Sequence, residues 1–435
     1  MDSFKADLLR EKTVAVWGAG YLGYTKMLRL QARGFKPLAH DLTGTGFSAK
    51  LRRGAYPEPE QVHSWSQTGR VPHLDASRVA VAPPRGLMSA RVHFWAAPLR
   101  DREGGSALGG FLRALASSRR EVKDSLVVFL PVGAPGDIQR LFLAPARRAG
   151  VSCGVVAAFR SDWTVEEYLR DGRQRVLAAD SPRTLERARA LYELLEVPFE
   201  TLSSIPEAEI YENAKNSLQY LAGTFLNQLA FAYPRTDIRR MSRLLLEDVE
   251  LSESHLGIGS GGLKTSFAAK HLLDGSPAAE RLSLLRDAQK SDFASVLCYA
   301  ELAKRRGCRS AAILGLSAKG NRKSVELSPA VMLAEHLHKM GVRVCVDDPF
   351  YDAKALKRFM PFARHAEVLR DGVRADVVFV MADHGCYQSL TQRDLDRLGI
   401  SRVPLVVDSM GLFRDLRFAA GTLYHAVGDG NLGKI

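Results

Sequence analysis

The chain has 435 residues, 46% of them hydrophobic and 25% charged, a composition typical of a soluble protein with two or three domains. Its formal net charge of +13 favours anionic partners. The basic pairs are nevertheless scattered among acids and lack interleaved aromatic residues, so we expect no nucleic-acid-binding surface.

The N-terminus is polar, and no apolar run reaches the roughly 20 residues that a membrane-spanning helix needs. We therefore expect a cytoplasmic protein with no membrane partner. The five cysteines are an odd number, scattered and without a CxxC spacing. This pattern predicts reduced thiols, with neither a disulfide framework nor a metal site.

The first predicted elements form a strand, turn and helix unit. A β-rich run at residues 13–17 precedes the sequence GAGYLG at 18–23, and a helix-compatible stretch continues to Arg33. A second strand at 37–41 places Asp41 about 20 residues past the glycines, where a ribose-binding carboxylate belongs. The unit predicts NAD binding through Gly18, Gly20, Tyr21, Leu22, Gly23 and Asp41. His40 and Lys36 leave room for the 2'-phosphate of NADP, and the alternative is a tight turn that only packs a strand on a helix.

Further βα alternation follows, with buried-strand candidates at residues 92–96 and 126–130. The second of these ends in PVGAPG at 131–136. Because ligands bind beyond the carboxyl ends of the strands in open α/β sheets, we expect both strand ends to face the cofactor cleft.

The pattern then changes to a helical period over residues 206–304. Its apolar stripe indicates a core or a dimer interface, and comprises Tyr211, Ala214, Leu218, Leu221, Phe225 and Leu229.

A second α/β region has predicted strands at 311–316, 342–349, 377–381 and 405–408. The fold class predicted is two Rossmann-like, doubly wound parallel-sheet domains joined by a central helical segment, with domains at 1–203, 204–304 and 305–435.

These motifs resemble those of the UDP-glucose/GDP-mannose dehydrogenase family over essentially the whole chain. Besides GAGYLG, the similar segments are Ala208-Glu209-Ile210 with Asn216, Asn227-Gln228-Leu229-Ala230, GLSAKGNRKSVELSPA at 315–330, VDDPFY at 346–351 and Ala382-Asp383-His384. The resemblance implies a homodimer formed through the central helices, NAD as cofactor and a nucleotide-sugar or other anionic sugar as substrate.

The family oxidises a primary alcohol of the sugar to a carboxylate in two hydride transfers, with a cysteine holding the intermediate as a thioester. That cysteine lies in a glycine-rich loop, which corresponds here to GIGSGGLKTS at 257–266. Gly259, Gly261 and Gly262 match the loop and are expected at the substrate, whereas Leu263 and Lys264 stand where the family has histidine and cysteine.

Other positions depart from the family pattern. Glu212 stands where the family carries its catalytic lysine, and Asn216 is kept as the oxyanion-stabilising asparagine. Lys319 is kept as a substrate-binding residue, but Ser324 replaces an aspartate and Glu326 an arginine. The acidic residue near the cofactor corresponds to Asp162.

The missing sulfur argues against thioester chemistry, since thioester formation needs an ionisable sulfur. One hydride transfer needs only NAD, an oriented alcohol carbon and one base, for which Lys264, Glu212 and Asp162 are candidates. We expect a Glu212–Lys264 ion pair at the substrate; alternatively Lys264 forms an imine with a carbonyl or is only an exposed amine. His384 is interpreted as a structural histidine, with a catalytic role as the alternative.

Two functions are thus retained. The first is an NAD-dependent oxidoreductase that stops at the aldehyde or ketone in polysaccharide, glycoconjugate or natural-product biosynthesis. The second is a pseudoenzyme, a dimeric scaffold that binds cofactor or sugar nucleotide and regulates or assembles a partner.

Overall fold

The computed structural model describes residues 3–42, 46–66, 68–100, 107–160, 164–170, 175–248, 267–276, 279–317, 320–321 and 323–431. The chain divides into two units. The first comprises residues 1–215 and 274–277, and the second residues 216–273 and 278–435. Six of the predicted site residues lie outside the described residues: Lys264, Asp162, Gly259, Gly261, Gly262 and Lys319.

The first unit contains an eight-stranded sheet with the order β3-β2-β1-β4-β5-β6-β7-β8. All neighbouring strands are parallel except β6 and β7. The strands are β1 (Thr13–Trp17), β2 (Lys36–His40), β3 (Ala80–Val81), β4 (Val92–Trp95), β5 (Ser125–Phe129), β6 (Cys153–Ala157), β7 (Arg175–Ala179) and β8 (Phe199–Thr201). The helices of this unit are α1 (Ser3–Glu11), α2 (Tyr21–Ala32), α3 (Phe47–Arg52), α4 (Pro59–Trp65), α5 (Ala107–Ser117), α6 (Ala144–Arg148), α7 (Val165–Leu169) and α8 (Pro182–Leu194).

The central helices are α9 (Ile205–Ala232), α10 (Ile238–Asp248), α11 (Phe267–Gly275) and α12 (Ser283–Arg305). Helix α9 continues from the first unit into the second. Short 3-10 helices lie at Ala76–Arg78, Pro84–Leu87, Ala279–Arg281 and Ile400–Arg402, and a π-helical turn at Gln139–Leu143.

The second unit contains a six-stranded, fully parallel sheet with the order β11-β10-β9-β12-β13-β14. Its strands are β9 (Ser310–Leu314), β10 (Arg343–Asp347), β11 (Arg364–His365), β12 (Val377–Val380), β13 (Leu405–Asp408) and β14 (Leu423–Ala426). Its remaining helices are α13 (Pro329–Lys339), α14 (Ala353–Phe359), α15 (Val368–Asp371), α16 (Gly385–Gln388) and α17 (Gln392–Leu398).

The central strands are apolar because both faces of each sheet are covered. In β1, Val14 and Val16 pack into one hydrophobic cluster, whereas Ala15 and Trp17 pack into another on the opposite face. Strand β9 alternates in the same way. The predicted fold class, two mostly parallel Rossmann-like sheets joined by long helices, is confirmed.

Most predicted strands agree with the structure to within one or two residues, and β2 ends at His40 so that Asp41 follows it directly. The boundaries 1–203, 204–304 and 305–435 stay a prediction. Within the described ranges, no helix is both long and apolar enough to cross a membrane.

A buried carboxyl lies among the central helices of the second unit. Asp292 of α12 is 2% exposed, and burial raises the pKa of its carboxyl from 3.8 to about 7. The nearby side chains of Tyr220 and Thr224 on α9 offset only part of this rise in pKa. The charged form of Asp292 is therefore unfavourable in the folded protein.

We predict that Asp292→Asn stabilises the protein against unfolding relative to the wild type, and that this gain is larger in alkaline buffer than in acid. A raised folded-state pKa contributes stability that is complete below pH 3.8 and is lost as the pH rises through about 7. One pKa unit corresponds to about 1.4 kcal/mol, so the upper limit of the effect is about 4 kcal/mol. Urea unfolding at pH 5 and pH 8 measures it. The exposed Asp287→Asn on the same helix is the control, and equal pH dependence in both variants would contradict the prediction.

Candidate functional site

The glycine turn after β1 has the close backbone contacts of a dinucleotide-binding turn. A Cβ on Gly23 would lie 1.9 Å from the carbonyl oxygen of Gly18, so only glycine lets α2 approach the turn this closely. Gly18 has a φ of +100°, and a Cβ there would lie 3.3 Å from the carbonyl oxygen of Ala96. Beside Gly20, in contrast, there is open space within 4 Å. These are the three separate roles that such glycines have around a pyrophosphate.

The turn lies where the order of the strands reverses. Strand β1 pairs with β2 on one side and with β4 on the other, which is the switch point at which open α/β sheets bind ligands. Helix α2 begins at Tyr21, followed by Leu22, and no side chain caps its N-terminus. The helix dipole therefore favours an anion here. The hydroxyl of Tyr56 donates to the carbonyl of Ala19 at 2.5 Å and fixes the turn from the other side.

Asp41 lies at the carboxyl edge of the same sheet, directly after β2. Its Oδ2 accepts a hydrogen bond from the backbone N–H of Phe47 at 3.2 Å. Lys36 opens β2 and pairs with Thr13, so it lies at the amino edge, roughly 16 Å of strand away. The expectation that Lys36 could serve a 2'-phosphate is therefore wrong. The ring Nδ1 of His40 is 3.1 Å from the carbonyl oxygen of Ala82.

The first turns of α9 are held at this same edge by the loop after β5. The buried Glu209 carboxylate accepts hydrogen bonds from the N–H groups of Gly136 at 2.7 Å and Ile138 at 3.0 Å. Burial raises the pKa of Glu209 to about 7. Asn213 donates to the carbonyl of Gly133 at 2.8 Å. The loop at 131–136 and the start of α9 are thus one hydrogen-bonded assembly.

Glu212 lies on this anchored part of α9. Glu212 is 4% exposed, and the ammonium of Lys215 lies 2.7 Å from both of its carboxylate oxygens. The i, i+3 spacing on a helix brings the two side chains together. Among the described residues, Lys215 is therefore the ion-pair partner of Glu212, a residue that our sequence analysis missed. Asn216 follows it, half-buried; Lys264, the predicted partner, lies outside the described residues.

The second sheet has an equivalent switch point between β9 and β12. Gly315, which follows β9, has a φ of +86°, and a Cβ there would lie 2.4 Å from the Cβ of Ala382 after β12. The segment that follows, residues 315–328, is named here the 315–328 loop. At its far end, Ser328 donates to the carbonyl of Leu316 and caps α13 by accepting from Val331 N–H at 3.2 Å. The loop is thus closed at its base, and Lys319 belongs to it in sequence.

His384 is a structural residue of this region. It is fully buried, its Nε2 lies 3.2 Å from Oδ2 of Asp348, and its Nδ1 accepts the N–H of Asn321 at 2.8 Å. With both ring nitrogens engaged, neither can exchange a proton with a substrate. The interpretation of His384 as a structural histidine is therefore favoured. Its hydrogen-bond partners are the side chain of Asp348 and the backbone N–H of Asn321.

None of the five thiols resembles an activated nucleophile. Burial raises the pKa of Cys153 to about 12 and that of Cys386 to about 11. The pKa values of Cys298, Cys308 and Cys345 are raised for the same reason. A thiol with a raised pKa carries little thiolate at neutral pH.

Comparisons with known proteins agree with this architecture. Residues 312–415 match the family model described as "UDP-glucose/GDP-mannose dehydrogenase family, UDP binding domain". The chain is 23% identical to UDP-glucose 6-dehydrogenase YwqF of Bacillus subtilis, over 95% of this chain and 97% of that protein. It is 25% identical to UDP-glucose 6-dehydrogenase of Pseudomonas aeruginosa, over 87% of this chain and 89% of that protein.

Solved structures have the same fold. A UDP-glucose dehydrogenase from Pyrobaculum islandicum superimposes with a TM-score of 0.69 at 20% identity, over 96% of this chain and 97% of that one. A UDP-D-ManNAc dehydrogenase from Pyrococcus horikoshii gives 0.70 at 19% identity, over 96% of this chain and 100% of that one.

We predict that Gly20→Val lowers the affinity for NADH at least roughly tenfold, a loss of about 1.4 kcal/mol. The space beside Gly20 admits the new side chain without a clash, so the protein folds but the valine occupies the pyrophosphate position. Fluorescence titration of NADH measures the effect. Gly110→Val, on α5 away from the turn, is the control. Wild-type affinity in Gly20→Val would refute this cofactor site.

Proposed function

We propose that the chain is a member of the UDP-glucose/GDP-mannose dehydrogenase family and an NAD-dependent oxidoreductase that transfers one hydride from a nucleotide-linked or other anionic sugar. The observation that carries the proposal is the position of Glu212. It lies on the part of α9 that Glu209 and Asn213 hold at the carboxyl edge of the first sheet, the edge that also carries the glycine turn and Asp41.

The residues of the turn fit NAD. Gly20 leaves room beside the uncapped N-terminus of α2 for a pyrophosphate, and Asp41 supports recognition of a ribose diol. A carboxylate at this position disfavours a 2'-phosphate through like-charge repulsion, and Lys36 is too far away to offset it. NAD, when bound, supplies the hydride acceptor.

In the proposed reaction the Glu212 carboxylate takes the proton of the substrate hydroxyl. NAD held by the glycine turn and Asp41 would accept the hydride of the carbon that bears this hydroxyl, which would leave a carbonyl there. Lys215 keeps the carboxylate oriented on the helix through its two contacts. Asn216, in the next position, is proposed to donate to the alcohol oxygen. The roles expected from the sequence for the residues outside the described ranges stay predictions, and these residues are Asp162, Gly259, Gly261, Gly262, Lys264 and Lys319.

The reaction is proposed to stop at the carbonyl. A second oxidation by the family's route needs a thiolate to add to the aldehyde. Residues 257–266 contain no cysteine, and burial raises the pKa of all five thiols in the chain.

The second candidate function is a scaffold that binds cofactor or sugar nucleotide without turnover. The contact of Lys215 with both Glu212 oxygens supports it, because a carboxylate engaged in this way has less capacity to accept a substrate proton. Residues 312–415 would then serve as a UDP-binding module, as the description of the matching family model indicates.

We predict one NADH per sugar converted when the protein is incubated with NAD and a panel of UDP-, GDP- and TDP-sugars. Glu212→Gln should lower kcat by at least roughly a hundredfold, because the base is lost while the shape is kept. Absorbance at the NADH band and product masses give both results. The exposed Glu301→Gln on α12 is the control. Two NADH per sugar would contradict a halted reaction, and NADH binding without turnover would support the scaffold.

A homodimer through α9 is also proposed. Tyr211, Leu218 and Phe225 are seven residues apart on this helix, and they are 45%, 68% and 53% exposed. Side chains at this spacing form one stripe, which a second copy of the helix can cover.

We predict that Leu218→Glu shifts the protein from dimer to monomer at micromolar concentration, because a charge in the centre of the apolar stripe cannot be buried without a partner. Sedimentation velocity measures the change. Leu9→Glu, a substitution at an exposed leucine of α1 that is 38% accessible, should leave the dimer intact. A monomeric wild-type protein would rule out the proposed interface.

A further inference from the structure

We propose that His384 is a positioning residue, which holds Asn321 of the 315–328 loop at the carboxyl edge of the second sheet and thereby supports binding of an anionic ligand by this unit. This inference rests on the proposed function, because it assumes that the second unit binds the nucleotide part of the substrate. His384 itself is buried and does not contact the ligand in this proposal.

The hydrogen bonds define the tautomer of His384. The backbone N–H of Asn321 donates to Nδ1, so Nδ1 must carry a lone pair. The ring proton therefore lies on Nε2, which donates to Oδ2 of Asp348 at 3.2 Å. The carboxylate thus orients the imidazole, as a carboxylate orients a catalytic histidine, but here the other ring nitrogen accepts from a backbone amide.

Asp348 connects this histidine to the base of the loop. Its Oδ2 also accepts the N–H of Leu316 at 2.7 Å, and its Oδ1 accepts the N–H of Phe350 at 2.9 Å. Asp348 is 5% exposed, so these bonds form in a nearly dry environment, where they are strong and costly to break. One buried carboxylate thereby joins the end of β10, the start of the 315–328 loop and His384.

The loop contacts the same region at a second point. The N–H of Gly320 donates to Oδ1 of Asp383 at 2.6 Å, and the side chain of Asn321 accepts the N–H of Gly385 at 2.9 Å. A Cβ on Gly320 would lie 2.0 Å from the carbonyl oxygen of Asp383, so the close approach requires glycine. Asn321 has a φ of +55°, a left-handed conformation that asparagine adopts more readily than most residues.

These contacts fix the direction of the chain at Gly320 and Asn321, immediately after Lys319 in sequence. Without the His384 ring, the N–H of Asn321 and one acceptor site of Asp348 lose their partner in a buried environment. The loop should then loosen. The sheet should persist, because His384 follows β12 and makes no strand pairing.

The test compares two substitutions of His384 with one of a matched histidine. In His384→Asn, the amide oxygen takes the place of Nδ1 and can still accept from Asn321, whereas His384→Ala offers no acceptor. His425 provides the control: it is 1% exposed, in the same sheet, and bonded to the carboxylate of Asp429 at 2.9 Å and to Tyr299 at 2.8 Å. His425→Ala removes an equally buried imidazole whose hydrogen bonds go to Asp429 and Tyr299 and not to the described residues of the loop.

Two measurements are made on the full chain: UDP affinity by calorimetry and hydrogen exchange of the peptide covering 316–328. In His384→Ala we expect roughly tenfold weaker UDP binding and faster exchange in this peptide, with substantial recovery in His384→Asn. Equal losses in His384→Ala and His425→Ala would overturn the proposal. If wild-type protein bound no UDP, the nucleotide part of the proposed function would fail. Unchanged exchange at 316–328 in His384→Ala would independently overturn the positioning role.

Discussion

Close approach of backbone to backbone at the carboxyl ends of neighbouring parallel strands is the constraint on which both candidate sites depend. In the first unit α2 can begin beside the turn only because Gly23 has no Cβ to collide with the carbonyl of Gly18. In the second unit Gly315 allows the 315–328 loop to pass Ala382 in the same manner. Each contact lies at a point where the strand order reverses, so a crevice opens there and a helix N-terminus or an anchored loop faces it.

Two buried carboxyl groups then hold the segments that border these crevices in place. Burial raises the pKa of Glu209, and its carboxyl accepts two backbone hydrogen bonds that hold the loop after β5. Asp348 has the corresponding role at the second sheet, where it accepts from Leu316 and His384. In both cases a carboxylate that could be mistaken for a catalytic acid is occupied with backbone or histidine donors. Glu212 differs, because its partner is the ammonium of Lys215 on the same helix.

Much of the fold was predictable from local sequence, and the reasons are physical. Runs such as Val14 to Trp17 are apolar because both faces of a parallel strand are covered, and glycines with the spacing of residues 18–23 satisfy contacts that no other residue allows. The contact between Glu212 and Lys215 was not predicted, although the helical spacing of Lys215 was visible in the sequence. The expected Glu212–Lys264 pair stays a prediction, because Lys264 lies outside the described residues. The position of Lys36 was misjudged because Lys36 is close to Asp41 in sequence but lies at the opposite end of β2.

The charged side chains of α9 also indicate how the proposed reaction differs from that of the family. The family resemblance places a lysine at position 212, and this chain has a carboxylate there with a lysine one turn further along. The ammonium thus stays on the same face of the helix, while the group at position 212 changes from a donor to an acceptor. An acceptor can remove a proton from an alcohol, whereas an ammonium stabilises negative charge on oxygen. An acceptor at position 212, and the absence of cysteine from residues 257–266, are both consistent with the proposed reaction, which forms a carbonyl and releases it.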